Sequence, residues 1–261
     1  MLLHIFRCNG FTTLSRHDNL GAISAQSRRS FTTKSPLLAI KGVIFDMDGT
    51  LTPPGNIDFV ALRNSINAIA STDSNYAEIS SVEGRDVLET CQMLSPAGQK
   101  DAGKVLKELE DKCRINMKLT PGALSTLQYL KSQKVRASVV TRNVTPSLEH
   151  LEKILESHGI TLDPMIARDT IHFGSIIKPK PHPEALNLII KKWGFKSDEV
   201  IMVGDSLQDD IMAANLAKCK SCWIDTGIDN ATGRGQEGKP DWVVERIGDV
   251  ERVIDDYNKN N

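Results

Sequence analysis

The sequence predicts an α/β fold, a doubly wound parallel sheet interrupted by a small helical insertion. Short apolar runs at 43–45, 135–140 and 200–203 read as strands, the first and last buried on both faces. Stretches of helical period alternate with them, the pattern of parallel strands joined by crossover helices. Residues 56–118 carry helical periodicity with no strand signal, directly after the first strand. A chain of 261 residues, 40% of them hydrophobic, is long enough for one such domain with an insertion and a sizeable core.

The net charge of −1 leaves no electrostatic footprint for nucleic acid. No apolar run approaches the ~18 residues that cross a bilayer, so no membrane partner is expected. The five cysteines, Cys8, Cys91, Cys113, Cys219 and Cys222, are few and scattered, which suits a reducing compartment. Cys219 and Cys222 resemble a redox pair, but a single Cys-x-x-Cys at a helix-to-strand junction argues against a redox or zinc role.

Residues 1–38 stand apart. They hold Arg7, Arg16, Arg28, Arg29 and Lys34 against one acid, Asp18, and are rich in Ser and Thr. Basic, Ser-rich and acid-poor composition without a long apolar stretch describes an organellar transit peptide rather than a secretory signal. Arg29-Ser30-Phe31 favours a mitochondrial matrix address, with the chloroplast as alternative and a disordered tail as the plain reading. The α/β core is expected over 39–55 and 119–261, with the helical cap at 56–118. Pro53-Pro54-Gly55 and Thr120-Pro121-Gly122 punctuate the two junctions as hinges.

Within the cap, Phe59, Leu62, Ile66 and Ile69 mark one helix and Val87, Leu88, Cys91 and Leu94 a second. Val105, Leu109, Cys113 and Met117 mark a third, opening near Ser95-Pro96. After it, Leu124, Leu127 and Leu130 form a helical stripe, and a helix runs from about 146 to 158. A short strand follows at 165–167. Residues 176–183 read as a Pro-stiffened loop, 184–193 as a helix and 209–218 as another, with strands at 222–224 and 242–244. His172 and His182 read as surface or turn residues, and Trp193, Trp223 and Trp242 as core anchors.

Chemistry gathers where strands end. Asp46 and Asp48 follow the first strand; two residues apart in an extended segment, they face the same way. Their mutual repulsion calls for a cation, and oxygen donors suit a hard divalent ion such as Mg2+. Gly49 permits close backbone approach. Thr141 ends the second strand, Lys178 (or Lys180) lies in the stiff loop, and Asp205, Asp209 and Asp210 follow a further strand. In an open parallel sheet these ends lie along one edge, where ligands bind. Acids for a metal, a cation for an anion and a hydroxyl donor suit a phosphate ester.

Asp46-Met47-Asp48-Gly49-Thr50, Val139-Val140-Thr141, Lys178-Pro179-Lys180-Pro181 and Gly204-Asp205-Ser206 with Asp209-Asp210 resemble, in order, the four motifs of the haloacid dehalogenase superfamily. The match spans about 40–245. It is most similar to the phosphoglycolate-phosphatase-like branch and to plant haloacid dehalogenase-like hydrolase domain-containing proteins. The resemblance implies a Rossmann-like core, a helical cap and Mg2+. It implies Asp46 as nucleophile, Asp48 as general acid and base, and Asp46, the Asp48 carbonyl and Asp205 as metal ligands, with Asp209 or Asp210 orienting the metal shell.

It further implies Thr141, Lys178 and backbone N–H groups near Gly49 on the phosphate, with Arg142 and Asn143 beside them. Family spacing favours Lys178 over Lys180. Thr141, Asp209 and Asp210 each have a plain rival role as helix caps. Glu83 and Arg85 are cap residues expected to select substrate. The second acid, Asp48, argues against dehalogenation, since only phosphoryl transfer needs a proton on its leaving group. The implied activity is hydrolysis of a small phosphorylated metabolite by a monomer or weak homodimer. A sugar phosphomutase is the alternative, suggested by Gly84-Arg85, and an inactive binding module a lesser one.

Overall fold

The computed structural model describes residues 39–53, 59–81, 87–227 and 238–260. The expected transit segment, the selector residues Glu83 and Arg85, and the hinge residues Pro54 and Gly55 lie outside the described residues. The chain begins with β1 (Gly42–Phe45) and then forms α1 (Phe59–Ser71), α2 (Tyr76–Ser80), α3 (Val87–Met93) and α4 (Pro96–Ile115). Next come α5 (Ala123–Ser132), β2 (Arg136–Val140), α6 (Thr145–Glu156), β3 (Met165–Ile166) and the hairpin strands β4 (Ile171–His172) and β5 (Ser175–Ile176). The remainder is α7 (Glu184–Trp193), β6 (Val200–Gly204), α8 (Met212–Ala217), β7 (Lys220–Ile224), β8 (Trp242–Val244) and α9 (Val250–Asn260).

Six strands form one parallel sheet in the order β3-β2-β1-β6-β7-β8. Its apolar strands alternate between two helical layers. Val43, Phe45, Ile201 and Val203 pack with Leu127 and Leu130 of α5, Leu148, Leu151 and Leu155 of α6, and Val250 and Ile254 of α9. Ile44, Val200 and Met202 turn the other way, onto Leu186, Ile189, Ile190 and Trp193 of α7 and the alanines of α8. Burial on both faces is why these strands read as continuous apolar runs. The chain leaves β1 toward β2 on one side and returns to β6 on the other, so the strand order reverses at β1. Ligand crevices in such sheets form at that reversal.

Helices α1 to α4 build a separate apolar cluster from Leu62, Ile66, Ala70, Ile79, Leu94 and Ala102. Ser95 caps α4: its Oγ accepts from the Gly98 N–H at 3.2 Å, with Pro96 in the first turn. Asp73 secures that cap by accepting from Ser95 Oγ at 2.7 Å.

Three features differ from the sequence reading. The stretch before the Lys-Pro repeat holds the hairpin β4–β5, two-residue strands with exposed side chains that leave no burial pattern to read. The helix expected from 209 is a π-helical turn, Leu207–Ile211, running into the six-residue α8. Helices α2 and α9 have no counterpart among the expected elements; of α9, only Val250, Val253 and Ile254 are buried.

Candidate active site

Asp46 directly follows β1, and its N–H donates to the Val203 carbonyl at 2.9 Å, so the β1–β6 ladder runs into it. Parallel register sets Phe45 opposite Val139 and Val203, which brings the ends of β2 and β6 alongside Asp46. The chain then turns back sharply: the Thr52 N–H donates to the Met47 carbonyl and the Gly49 N–H to the Thr52 carbonyl, each at 2.8 Å. Gly49 sits at φ 91°, and a Cβ there would fall 2.0 Å from Asp205 Oδ2. Only glycine meets both demands.

Lys180, not Lys178, enters the site. Its Nζ donates to Asp46 Oδ1 at 2.5 Å and to the Val140 carbonyl at 2.7 Å, and lies 2.6 Å from Asp210 Oδ1. Lys178 is exposed, and its backbone N–H donates to Glu184 Oε2. The inward residues of this loop, Ile177 and Lys180, are three apart. That is the repeat of an extended Pro-rich chain, so once Ile177 packs under the sheet Lys180 turns inward with it.

The second acidic pair also resolves. Asp46, Asp205 and Asp210 each present a carboxylate oxygen within 4.8 Å of the others. The π turn inserts one residue into the helix start, a device common at functional sites. It carries Asp210 against Gly204, where a Cβ would lie 2.2 Å from Asp210 Oδ2. Asp210 also accepts from the Ser206 N–H. Asp209 is turned toward Arg142, whose Nη1 donates to Asp209 Oδ2 at 2.9 Å. Trp223 of β7 anchors the next turn by donating its indole N–H to the Asp205 carbonyl at 2.9 Å.

Asp48 points elsewhere. Its carboxylate accepts from Asn143 Nδ2 at 3.2 Å and Thr52 Oγ1 at 3.3 Å. Thr52 escaped the sequence reading because it acts only once the turn after β1 folds back. Thr141 is buried beyond β2, and its Oγ accepts from the Asn143 N–H at 2.9 Å. Thr141, Asn143, Asp46, Asp48, Lys180, Asp205 and Asp210 thus share one sheet edge, with Gly49 among them.

The site is short of positive charge. Burial, then repulsion from Asp46, pushes the Asp205 carboxyl up to about 8; burial, opposed by Lys180 and reinforced by Asp46, takes Asp210 to about 7. Burial also raises Asp46, opposed by Lys180. Asp48 is raised by burial as well, opposed by its bonds from Asn143 and Thr52, and a raised carboxyl suits a proton donor. Burial opposes the charged form of Lys180, but Asp210 and Asp46 outweigh it and hold the ammonium. Buried oxygen donors in excess over one lysine are the set a hard divalent cation prefers, so the residues present fit Mg2+.

The Cys-x-x-Cys residues face opposite layers of the core, Cys222 with α5 and α6, Cys219 with α7 and α8. Burial pushes both thiols up to about 12, as for inert core cysteines. Among the described residues, no helix is long and apolar enough to cross a membrane.

A haloacid dehalogenase-like hydrolase family model matches residues 40–218. A haloacid dehalogenase-like hydrolase domain-containing protein of Arabidopsis thaliana is 29% identical over 220 residues, covering 83% of this chain and 84% of that protein. The phosphoglycolate phosphatase of Pectobacterium atrosepticum is 30% identical over 238 residues, covering 86% of this chain and 97% of the relative. Among solved structures, the magnesium-bound hydrolase YfnB of Bacillus subtilis shares the fold at a TM-score of 0.54 and 16% identity, over 83% of this chain and 99% of that one. With acids, threonine and lysine meeting at one sheet edge and a family match over most of the chain, this protein belongs to the haloacid dehalogenase-like hydrolases.

Proposed function

We propose that this hydrolase is a magnesium-dependent phosphatase that cleaves a small phosphate monoester through an aspartyl phosphate on Asp46. The observation that carries this reading is the cluster at the end of β1. There Asp46 is held by Lys180, Asp205 and Asp210 stand within reach of one cation, and Asp48 lies two residues on, bonded by Asn143 and Thr52, with its carboxyl raised by burial. The phosphoglycolate phosphatase relatives support a small phosphorylated substrate.

An Asp46 carboxylate oxygen attacks phosphorus and the ester P–O bond breaks. Asp48 gives its proton to the leaving oxygen. Asp48 then takes a proton from water as that water attacks phosphorus. The acyl-phosphate P–O bond breaks, freeing phosphate and restoring Asp46. Lys180 spreads its charge over the phosphoryl group and Asp46, and the Thr141–Asn143 segment supplies donors to the phosphate oxygens. Asp46, Asp205 and Asp210 would hold Mg2+, which would supply further positive charge to the phosphoryl group. The helical insert closes over the site and excludes water.

The test is phosphate release from a panel of small monoesters, with and without magnesium, with Asp46→Asn alongside. Magnesium-dependent release that disappears in the variant is the expected result. Release that survives Asp46→Asn refutes the aspartyl phosphate. No release from any ester moves the reading to a phosphomutase, tested by phosphosugar isomerisation primed with a bisphosphate. We further infer that residues 1–38 address the protein to an organelle matrix, mitochondrial rather than plastid, which imaging of a carboxyl-terminal fluorescent fusion checks.

A further inference from the structure

Arg168 follows β3 and belongs to none of the four motif segments. Its Nη2 donates to Glu110 Oε1 of α4 at 2.7 Å, and its Nη1 donates to the Arg142 carbonyl at 3.1 Å. Its own N–H donates to the Asn143 carbonyl at 3.0 Å. One residue therefore holds two successive carbonyls of the loop after β2 together with a carboxylate of the insert. The loop's side chains reach into the site, Asn143 to Asp48 and Arg142 to Asp209. The Arg168–Glu110 pair is largely shielded, with side chains 22% and 12% exposed. By contrast, Lys104 and Asp101 on the same helix pair in open solvent.

We propose that Glu110 and Arg168 form a latch between the insert and the sheet, which sets the Arg142–Asn143 loop, and through it Asp48, when the insert is closed. Both are positioning residues: they act through Asn143 and Arg142. A planar guanidinium suits the task, because its fork bonds a carboxylate and a carbonyl at once, which a lysine cannot do in the same geometry. A pair that joins the insert to the sheet without being wholly buried also suits a contact made and broken in each cycle. The inference deepens the phosphatase reading and rests on it for its kinetic half.

The experiment uses the full chain with Glu110→Gln, Arg168→Gln, the double variant, and Lys104→Gln as control. Amide hydrogen exchange over 141–145 is measured without substrate, and phosphate release is measured on an alkyl phosphate and on nitrophenyl phosphate. Each single latch variant should raise exchange over 141–145 and lower kcat on the alkyl ester about tenfold. The loss on nitrophenyl phosphate should be smaller, since that leaving group needs less help from Asp48. The double variant should be no worse than either single, and Lys104→Gln should match the parent. Unchanged exchange, losses that multiply in the double variant, or equal losses on the two esters overturn the latch. Raised exchange in the latch variants, with a parent that releases no phosphate, supports the latch and counts against the phosphatase reading instead.

Discussion

Along α4, Lys104 pairs with Asp101 at 2.8 Å and Lys107 with Asp111 at 2.6 Å, all within reach of water. At the end of β1, Lys180 stands 2.5 Å from Asp46 and 2.6 Å from Asp210, its side chain 1% exposed. The distances are alike, but the surroundings are opposite. Solvent screens the helix pairs, and such pairs add little to stability. The buried group sets one ammonium against several carboxylates, an imbalance no fold needs for its own stability. The insert thus wears balanced charge on its surface, while the sheet conceals unbalanced charge at its edge. Unbalanced buried charge marks the place where a cation and an anionic substrate complete the structure.

The hardest way to break that contrast is to remove the buried ammonium of Lys180. Lys180→Met should leave Asp46 and Asp210 facing each other, cost about 3–5 kcal/mol in denaturant unfolding and lower turnover at least about a hundredfold. Lys178→Met, two residues away and exposed, should stay within about 0.5 kcal/mol of the parent and keep its activity. Equal damage in the two variants would falsify the assignment of Lys180.

On the other side of the comparison, Ile79→Ala removes a fully buried side chain from the insert's small core. It should cost about 2–5 kcal/mol locally. Hydrogen exchange should rise across α1 to α4 while β1 and β6 stay protected. If the sheet loosens equally, the insert is not a separate packing unit.

Asp48→Asn should lose about 100–10,000-fold on alkyl phosphates and clearly less on nitrophenyl phosphate, because the amide has no acidic proton to give the leaving oxygen. Uniform loss across leaving groups would show that Asp48 acts only through position.

The mildest effect is on pH. Asp205, at about 8, and Asp210, at about 7, lie above the ordinary 3.8, so the folded site holds protons that the unfolded chain releases. Their contribution is complete below about pH 4 and is lost as pH rises through 7 and 8. Without magnesium, Tm should therefore fall between pH 5.5 and 8.5, as the unfolding free energy drops by up to about 1.4 kcal/mol per pH unit for each group that titrates. Asp205→Asn should flatten that slope. The rise in Tm on adding magnesium should grow over the same range, because the ion competes with those protons. A magnesium shift identical at both ends of the range would contradict the carboxylate site.

Much of the site was legible because parallel strands buried on both faces are apolar runs, and the residues that follow them share one edge. Asp46, Asp48, Thr141 and Asp205 were found in that way. The lysine was harder: Lys178 and Lys180 both precede proline, and only the packing of Ile177 under the sheet turns the second inward. Asp209 and Asp210 are adjacent acids, and a π turn selects between them by adding one residue to the helix start. Helix α9 carried readable spacing at Val250, Val253 and Ile254, but its charge obscured it. The hairpin β4–β5 had no such signal; its tip, Phe173 at φ 48°, departs from what a bulky residue ordinarily adopts.

By itself, the sequence determined the alternation of strands and helices, the insertion after β1 and the acids at the strand ends. These depend on local periodicity and on which residues directly follow an apolar run. The tertiary structure alone decided which lysine balances Asp46, which aspartate joins Asp205, and that Arg168 ties the loop after β2 to Glu110. Lys180 lies 134 residues from Asp46 and Arg168 lies 58 from Glu110, while Asp209 and Asp210 are adjacent, so in each case only packing selects the partner.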